Sequence, residues 1–169
     1  MLTTGDGGIL CCRSDEDKKE AVKRRWFGMN RDAEVGPLGE REGDVESIGF
    51  KYHMNDIEAA IGLGNLDDFP QRWFKRQEVA RKWRELLQDC PGITLPLQEP
   101  DRVNAYYFFP ILVHEGRDEL AKELNRHGQT NCTAQRRIDS YKVFGGMRDL
   151  PGQAEYSAKH LCLPCHGIS

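Results

Sequence analysis

Apolar side chains recur at Phe69, Trp73, Ala80, Trp83 and Leu87, with Lys, Arg and Glu filling the positions between them. That spacing predicts a long amphipathic helix, opened by Pro70 in its first turn and ended before Gly92. Upstream, Ser14 reads as an N-cap with Asp17 three residues on, so a helix is expected from Asp15 to about Phe27, stopping at Gly28. The apolar run Ile9–Cys12 before it reads as a short strand, and the stretch "IEAAIGLGNL" as a further helix. Downstream, "GITLP" and "AYYFFPILV" predict strands, "GRDELAKELNRHG" a capped helix ending on Gly128, and "LCLP" a last short strand.

Strand alternating with helix points to an α/β architecture of modest size. The organisation expected is a first part over 1–68, a connecting helix over 69–90 and a small α/β sandwich over 91–169. Residues 28–47 combine Gly36-Pro37, Gly39 and Gly43 with many charges, which predicts a long exposed loop. The chain opens inside a glycine-rich turn and stops straight after a strand, so a piece of a larger protein is expected.

Composition narrows the function classes. Of the 169 residues 38% are hydrophobic and 30% charged, and a net charge of −3 supplies no global field for nucleic acid or anionic membrane. No apolar run approaches the roughly 18 residues of a membrane helix, and the first residues lack a basic, then apolar, leader. A cytoplasmic protein is expected, with its six cysteines mostly reduced.

Three stretches carry candidate chemistry. Thr3, Thr4 and Gly5 open "TTGDGG", a turn whose glycines allow close approach of a ligand or merely a tight bend. Gln135, Arg136 and Arg137 form the second, because paired arginines suit diphosphate recognition, although a charged helix start reads equally well. The third is "CLPCH", where Cys162, Cys165 and His166 match a c-type haem attachment signature, an incomplete zinc set or a redox dithiol. Trp26 and Phe27 beside Arg24 and Arg25 suggest base stacking, but aromatics at a helix end are more often core.

"LTTGDGG", "RRWFGMNRD" and "GFKYHMNDIEAAIGLGNLDDFPQRWFKRQEVARKWRELL" together resemble, in order and spacing, the DegT-type sugar aminotransferases. The likeness continues through "YYFFPILV", "RRIDSYKVF" and "LCLPCHG" to cover essentially the whole chain. It implies the C-terminal part of a fold type I enzyme dependent on pyridoxal 5'-phosphate: the end of the large cofactor-binding domain, then the small C-terminal domain. The family's Schiff-base lysine directly precedes the "TTG" turn, which would place it immediately before Met1; Lys18, Lys19 and Lys23 fall on the helix after the turn. No catalytic lysine is therefore expected within the 169 residues, and no turnover from them alone.

The same resemblance places Thr3, Thr4 and Gly5 beside the cofactor. It sets Lys51 where relatives use an asparagine to reach the cofactor phosphate of the neighbouring subunit, and His53 where they commonly have arginine at cofactor or substrate. Gln135 stands about where relatives carry a histidine near the sugar nucleotide, followed by Arg136 and Arg137. The parent enzyme would transfer an amino group, from glutamate, to a nucleotide-linked keto-sugar and work as a homodimer with shared sites, without nucleic acid or membrane. A sugar dehydratase of the same fold is the alternative within the family. A small haem or metal module built on Cys162, Cys165 and His166, and a non-catalytic partner subunit, are the alternatives outside it. On the resemblance, "LCLPCHG" is a short apolar strand in which the two cysteines are packing residues.

Overall fold

The computed structural model describes residues 2–41, 43–129 and 134–165. They form two compact units, Leu2–Phe69 and Pro70 onward.

In the first unit, helix α1 spans Asp15–Arg24. Ser14 caps it by accepting from the Asp17 backbone N–H at 3.1 Å, and Asp15, Glu16 and Asp17 place negative charge at its N-terminus. It stops short of the expected Phe27 because its last carbonyls serve a neighbouring segment: Phe50 N–H donates to Arg24 O and Tyr52 N–H to Arg25 O. Helix α2 spans Asp56–Leu66 under a capping box, in which Asn55 and Glu58 each accept the other's backbone N–H. The expected strand at Ile9–Cys12 does not form: the run pairs with no other segment among the described residues, and Ile9 is 92% exposed. Apolar character gives a strand only where a neighbour completes the ladder.

The second unit begins on helix α3, Phe69–Leu87. Strands β1 (Ile93–Thr94), β2 (Phe108–Val113) and β3 (His160–Pro164) form one antiparallel sheet in the order β1-β2-β3. Phe109 faces Leu163 across the β2–β3 ladder, and Ile111 faces Leu161. Helix α4 (Arg117–Arg126) lies against β3, and helix α5 (Pro151–Lys159) against β2. Two single 3-10 turns, Ile138–Ser140 and Lys142–Phe144, precede α5.

Along β2 burial alternates, with Phe109, Ile111 and Val113 inward, as one covered sheet face requires. Tyr106, Leu161, Leu163, Cys165 and Ala80 of α3 complete the core, and Val79, Trp83, Leu87, Leu120 and Leu124 pack around it. Trp83 also donates its indole N–H to Pro164 O at 2.9 Å, satisfying its polar atom where it enters the core. All the buried apolar side chains among the described residues lie at or beyond Ala80.

Candidate functional site

The glycine-rich turn is held by α2. Asn65 donates its side-chain N–H to Thr3 O at 3.0 Å, and a Cβ added at Gly62 would stand 3.0 Å from Thr4 Cγ2. Thr4 donates its hydroxyl to Asp6 O, while Thr3 Oγ1 accepts the Gly5 backbone N–H at 3.2 Å. Gly5 and Gly7 sit at φ of +93° and +113°, a region that favours glycine. At Gly7 a side chain would collide with Thr4 Oγ1. Thr3, Thr4 and Gly5 thus share one fixed turn.

A second site forms where the end of α1 meets residues 47–53. Phe27 N–H donates to Phe50 O at 3.1 Å, Phe50 N–H to Arg24 O at 2.7 Å and Tyr52 N–H to Arg25 O at 2.9 Å, and Trp26 is the bridge partner of Lys51. The two backbones approach so closely that a Cβ on Gly49 would lie 2.1 Å from Gly28 N, and one on Gly28 would lie 2.1 Å from Ser47 O. Alternation along this extended segment sends Lys51 and His53 towards Trp26 and leaves Phe50 stacked on Tyr52, with centroids 5.1 Å apart.

Cations surround Trp26. The Arg31 guanidinium stands 4.6 Å from the ring centroid, the Lys51 ammonium 4.8 Å, and the His53 ring meets the indole edge-on at 4.2 Å. Val22, Arg25, Trp26, Arg31, His53 and Met54 line a cavity of ≈ 190 Å³. His53 Nδ1 is buried with no hydrogen-bond partner. Trp26 is therefore not the core residue its place at a helix end suggests; it is the floor of an open cleft. The signal was present in the sequence, as an aromatic pair between Arg25 and Arg31.

The arginine pair of the second unit is not brought together. Arg137 is buried, forking its Nε and Nη2 onto Asp139 at 2.9 and 2.6 Å and donating to Arg148 O at 3.1 Å. Arg148 N–H closes the ring by donating to Asp139 Oδ2 at 3.1 Å. Arg136 stays exposed, with its guanidinium 4.7 Å from the Tyr141 centroid and bonded to Ser140 Oγ at 2.7 Å. Gln135 is exposed too, and its backbone N–H donates to His160 Nε2 at 3.0 Å. His160 is buried and stacks on Tyr156; with Nε2 accepting, the neutral ring carries its proton on Nδ1. Burial, then the Arg117 charge, push its pKa below the ordinary value.

The bidentate bond from Arg137, then the Arg148 N–H, hold Asp139 at a pKa of about 2. The unfolded carboxyl titrates near about 3.9, so this contribution to stability is complete above that pH and disappears as pH falls through 2. Acid unfolding followed by circular dichroism is expected to show a steep loss between about pH 4 and pH 2. In Asp139→Asn that loss is shallower and the neutral-pH stability lower. An unchanged acid limb would refute the assignment.

Cys162 and Cys165 are buried, and burial raises both thiol pKa values, that of Cys165 to about 11. These are the properties of inert packing thiols rather than nucleophiles. His166 lies outside the described residues, and among the described residues no three His, Cys, Asp or Glu side chains converge as a metal site would require.

Residues 1–167 match the model of the DegT/DnrJ/EryC1/StrS aminotransferase family. The chain belongs to this family. It is 28% identical over 172 residues to a dTDP-4-dehydro-2,3,6-trideoxy-D-glucose 4-aminotransferase of Saccharopolyspora spinosa, covering 98% of this chain and 45% of that protein. It is 27% identical over 177 residues to a dTDP-4-amino-4,6-dideoxy-D-glucose transaminase of Shigella dysenteriae, again over 98% of this chain and 45% of the relative. The crystal structure of the sugar aminotransferase CalS13 from Micromonospora echinospora superposes with a TM-score of 0.83 at 26% identity, over 97% of this chain and 44% of that one. The chain thus spans a little under half the length of the relatives it matches, and its fold is a portion of the sugar-aminotransferase fold.

Proposed function

We propose that these residues form part of an aminotransferase that moves an amino group, from glutamate, onto a keto-sugar carried by a nucleotide, in the cytoplasm and as a homodimer with shared sites. Family membership over residues 1–167, together with relatives named for dTDP-sugar amination, carries the reading. No helix among the described residues is long and apolar enough to cross a membrane.

The family cofactor is pyridoxal 5'-phosphate, which when bound supplies an electron sink for breaking bonds at an amine-bearing carbon. The residues present fit such a group. The Thr3–Gly5 turn has no Cβ at the position nearest Ile61 and offers two hydroxyl oxygens fixed by their own backbone bonds. Lys51 adds an ammonium that has no ion pair among the described residues and can meet a phosphate as a point charge. In this reading Thr3, Thr4 and Gly5 orient the cofactor, and Lys51 and His53 face phosphate or substrate. Gln135 and Arg136 face the nucleotide. Arg137 supports them indirectly, because its guanidinium donors are spent on Asp139 and Arg148 O.

The test is to supply the purified protein with pyridoxal phosphate, reduce with borohydride and map the labelled lysine. None of Lys18, Lys19 and Lys23, which lie on α1 after the turn, is expected to carry the label. Label on one of them would overturn the placement of the turn beside the cofactor. For the parent enzyme, amino transfer from glutamate to a dTDP-linked 4-keto-sugar is the activity expected, and its replacement by elimination of water would favour a dehydratase.

A further inference from the structure

Among the buried polar residues described in the second unit, Arg137 and Asp139 satisfy each other, but His160 lacks a full set of partners. It opens β3 at 2% exposure, and its Nδ1 has no hydrogen-bond partner. Its Nε2 accepts the Gln135 backbone N–H at 3.0 Å across 25 residues of chain. Among the described residues no other backbone hydrogen bond holds 134–136. Downstream, the Arg137–Asp139–Arg148 ring ties the chain down, so the His160 bond is the upstream tie of the same segment. Arg136 stands between the two ties, exposed.

A neutral imidazole has one donor and one acceptor nitrogen, whereas a protonated one has two donors and no acceptor. Only the neutral ring can accept from Gln135; once charged, its Nε2–H would face the Gln135 N–H. The surroundings give that charge no counterpart. From α4 comes Arg117, whose guanidinium donates to Ser157 O and pairs with Asp118. From α5 come Tyr156, stacked on the imidazole at 4.8 Å, and Lys159, paired with Glu155. β2 presents Leu112, the register partner of His160, and His114 just beyond β2 is turned to Thr94. Cys162 follows two residues along β3 as a buried thiol. His160 forms an ion pair with none of the described carboxylates. Protonation of the ring and the bond to Gln135 therefore exclude each other.

We propose that His160 is a positioning residue for the Gln135–Arg136 segment, a latch that the neutral imidazole closes and its protonation releases. Burial, then the Arg117 charge, keep the proton off the closed ring at neutral pH. A ring released into water takes its proton near the ordinary value of about 6.5. The open form thus binds more protons than the closed one, so closure is complete above about pH 6.5 and weakens below it, by up to about tenfold per pH unit. That the segment faces a nucleotide rests on the proposed function; the latch itself does not.

Amide exchange of the purified protein across about pH 5 to 7.5 tests it, each rate taken relative to the intrinsic rate at that pH. Protection at Gln135 is expected to fall by up to about tenfold per pH unit below about 6.5, while Phe109 and Leu161 keep theirs. His160→Gln supplies a carbonyl that accepts at every pH, so Gln135 should stay protected without titrating. His160→Phe keeps a ring on Tyr156 but no acceptor, so Gln135 should be open throughout; if that variant melts early, His160→Gln carries the test. Gln135 unprotected at neutral pH, independent of pH, or titrating equally in His160→Gln would overturn the proposal. Thymidine diphosphate titration then separates the latch from its use. From about pH 7.5 to about pH 5.5 its affinity should fall about tenfold more in the parent than in His160→Gln, where the ligand carries the same charge. A titrating latch with no thymidine diphosphate bound at either pH would sink the nucleotide reading alone. Binding with the same pH dependence in both proteins would sink the positioning role.

Discussion

Phe109→Ala is expected to destabilise the protein by about 3–5 kcal/mol, out of a total that for domains of this size is about 5–15 kcal/mol. The side chain is fully buried near the start of β2, in register with Leu163 and stacked on Tyr106 at 5.9 Å. Removing the ring forfeits its transfer free energy and opens a cavity that α3 and the sheet can close only in part. The effect is large because the core is small: Phe109 shares one buried cluster with Ile111 and Val113 of its own strand, Leu161 and Leu163 of β3, and Ala80 of α3. Denaturant unfolding checks it. The midpoint should fall sharply in Phe109→Ala and stay within about 0.5 kcal/mol of the parent in Leu97→Ala, which changes a side chain 87% exposed. Equal midpoints would mean that the core lies elsewhere.

That core was legible in the sequence because its signals are local and periodic. The 3.6-residue recurrence from Phe69 to Leu87 gave α3, the apolar run ending at Val113 gave β2, and the cap expected at Ser14 stands where α1 begins. What could not be read depends on partners distant in sequence. Ile9–Cys12 has strand composition, but a strand is a relation between two segments, and the described residues supply no second one. Helix α5 has Pro151 at its first position, but the weak apolar periodicity behind that start signal leaves the helix unmarked in the sequence. The arginine pair failed for a different reason. Adjacent residues share no face, and a carboxylate two positions on, Asp139, captured Arg137 while Arg136 turned to Tyr141. The resemblance located Lys51 and His53 as positions, but not what surrounds them. Trp26 lies 25 residues earlier than Lys51, and only the ladder between their segments joins them.

That ladder makes Gly49→Ala the most informative single substitution for the site. The methyl carbon would lie 2.1 Å from Gly28 N, 2.6 Å from Arg24 O and 2.7 Å from Phe27 C, all of them backbone atoms that no rotamer change can move aside. The segments must separate, which breaks the bonds from Phe27 N–H, Phe50 N–H and Tyr52 N–H. At about 1 kcal/mol each, with overpacking strain added, the expected cost is about 3 kcal/mol or more. None of the buried apolar core residues is touched, because all lie in the second unit. Amide exchange should therefore show Phe50 and Tyr52 losing protection while Phe109 and Leu161 on β2 and β3 keep theirs. Lys51 and His53 would leave the indole at the same time, so the emission of Trp26 should shift as its neighbours give way to water. Retention of both the exchange pattern and the emission would show that the Gly28–Gly49 contact does not build the cleft; loss of protection at Phe109 as well would show that the two units unfold as one.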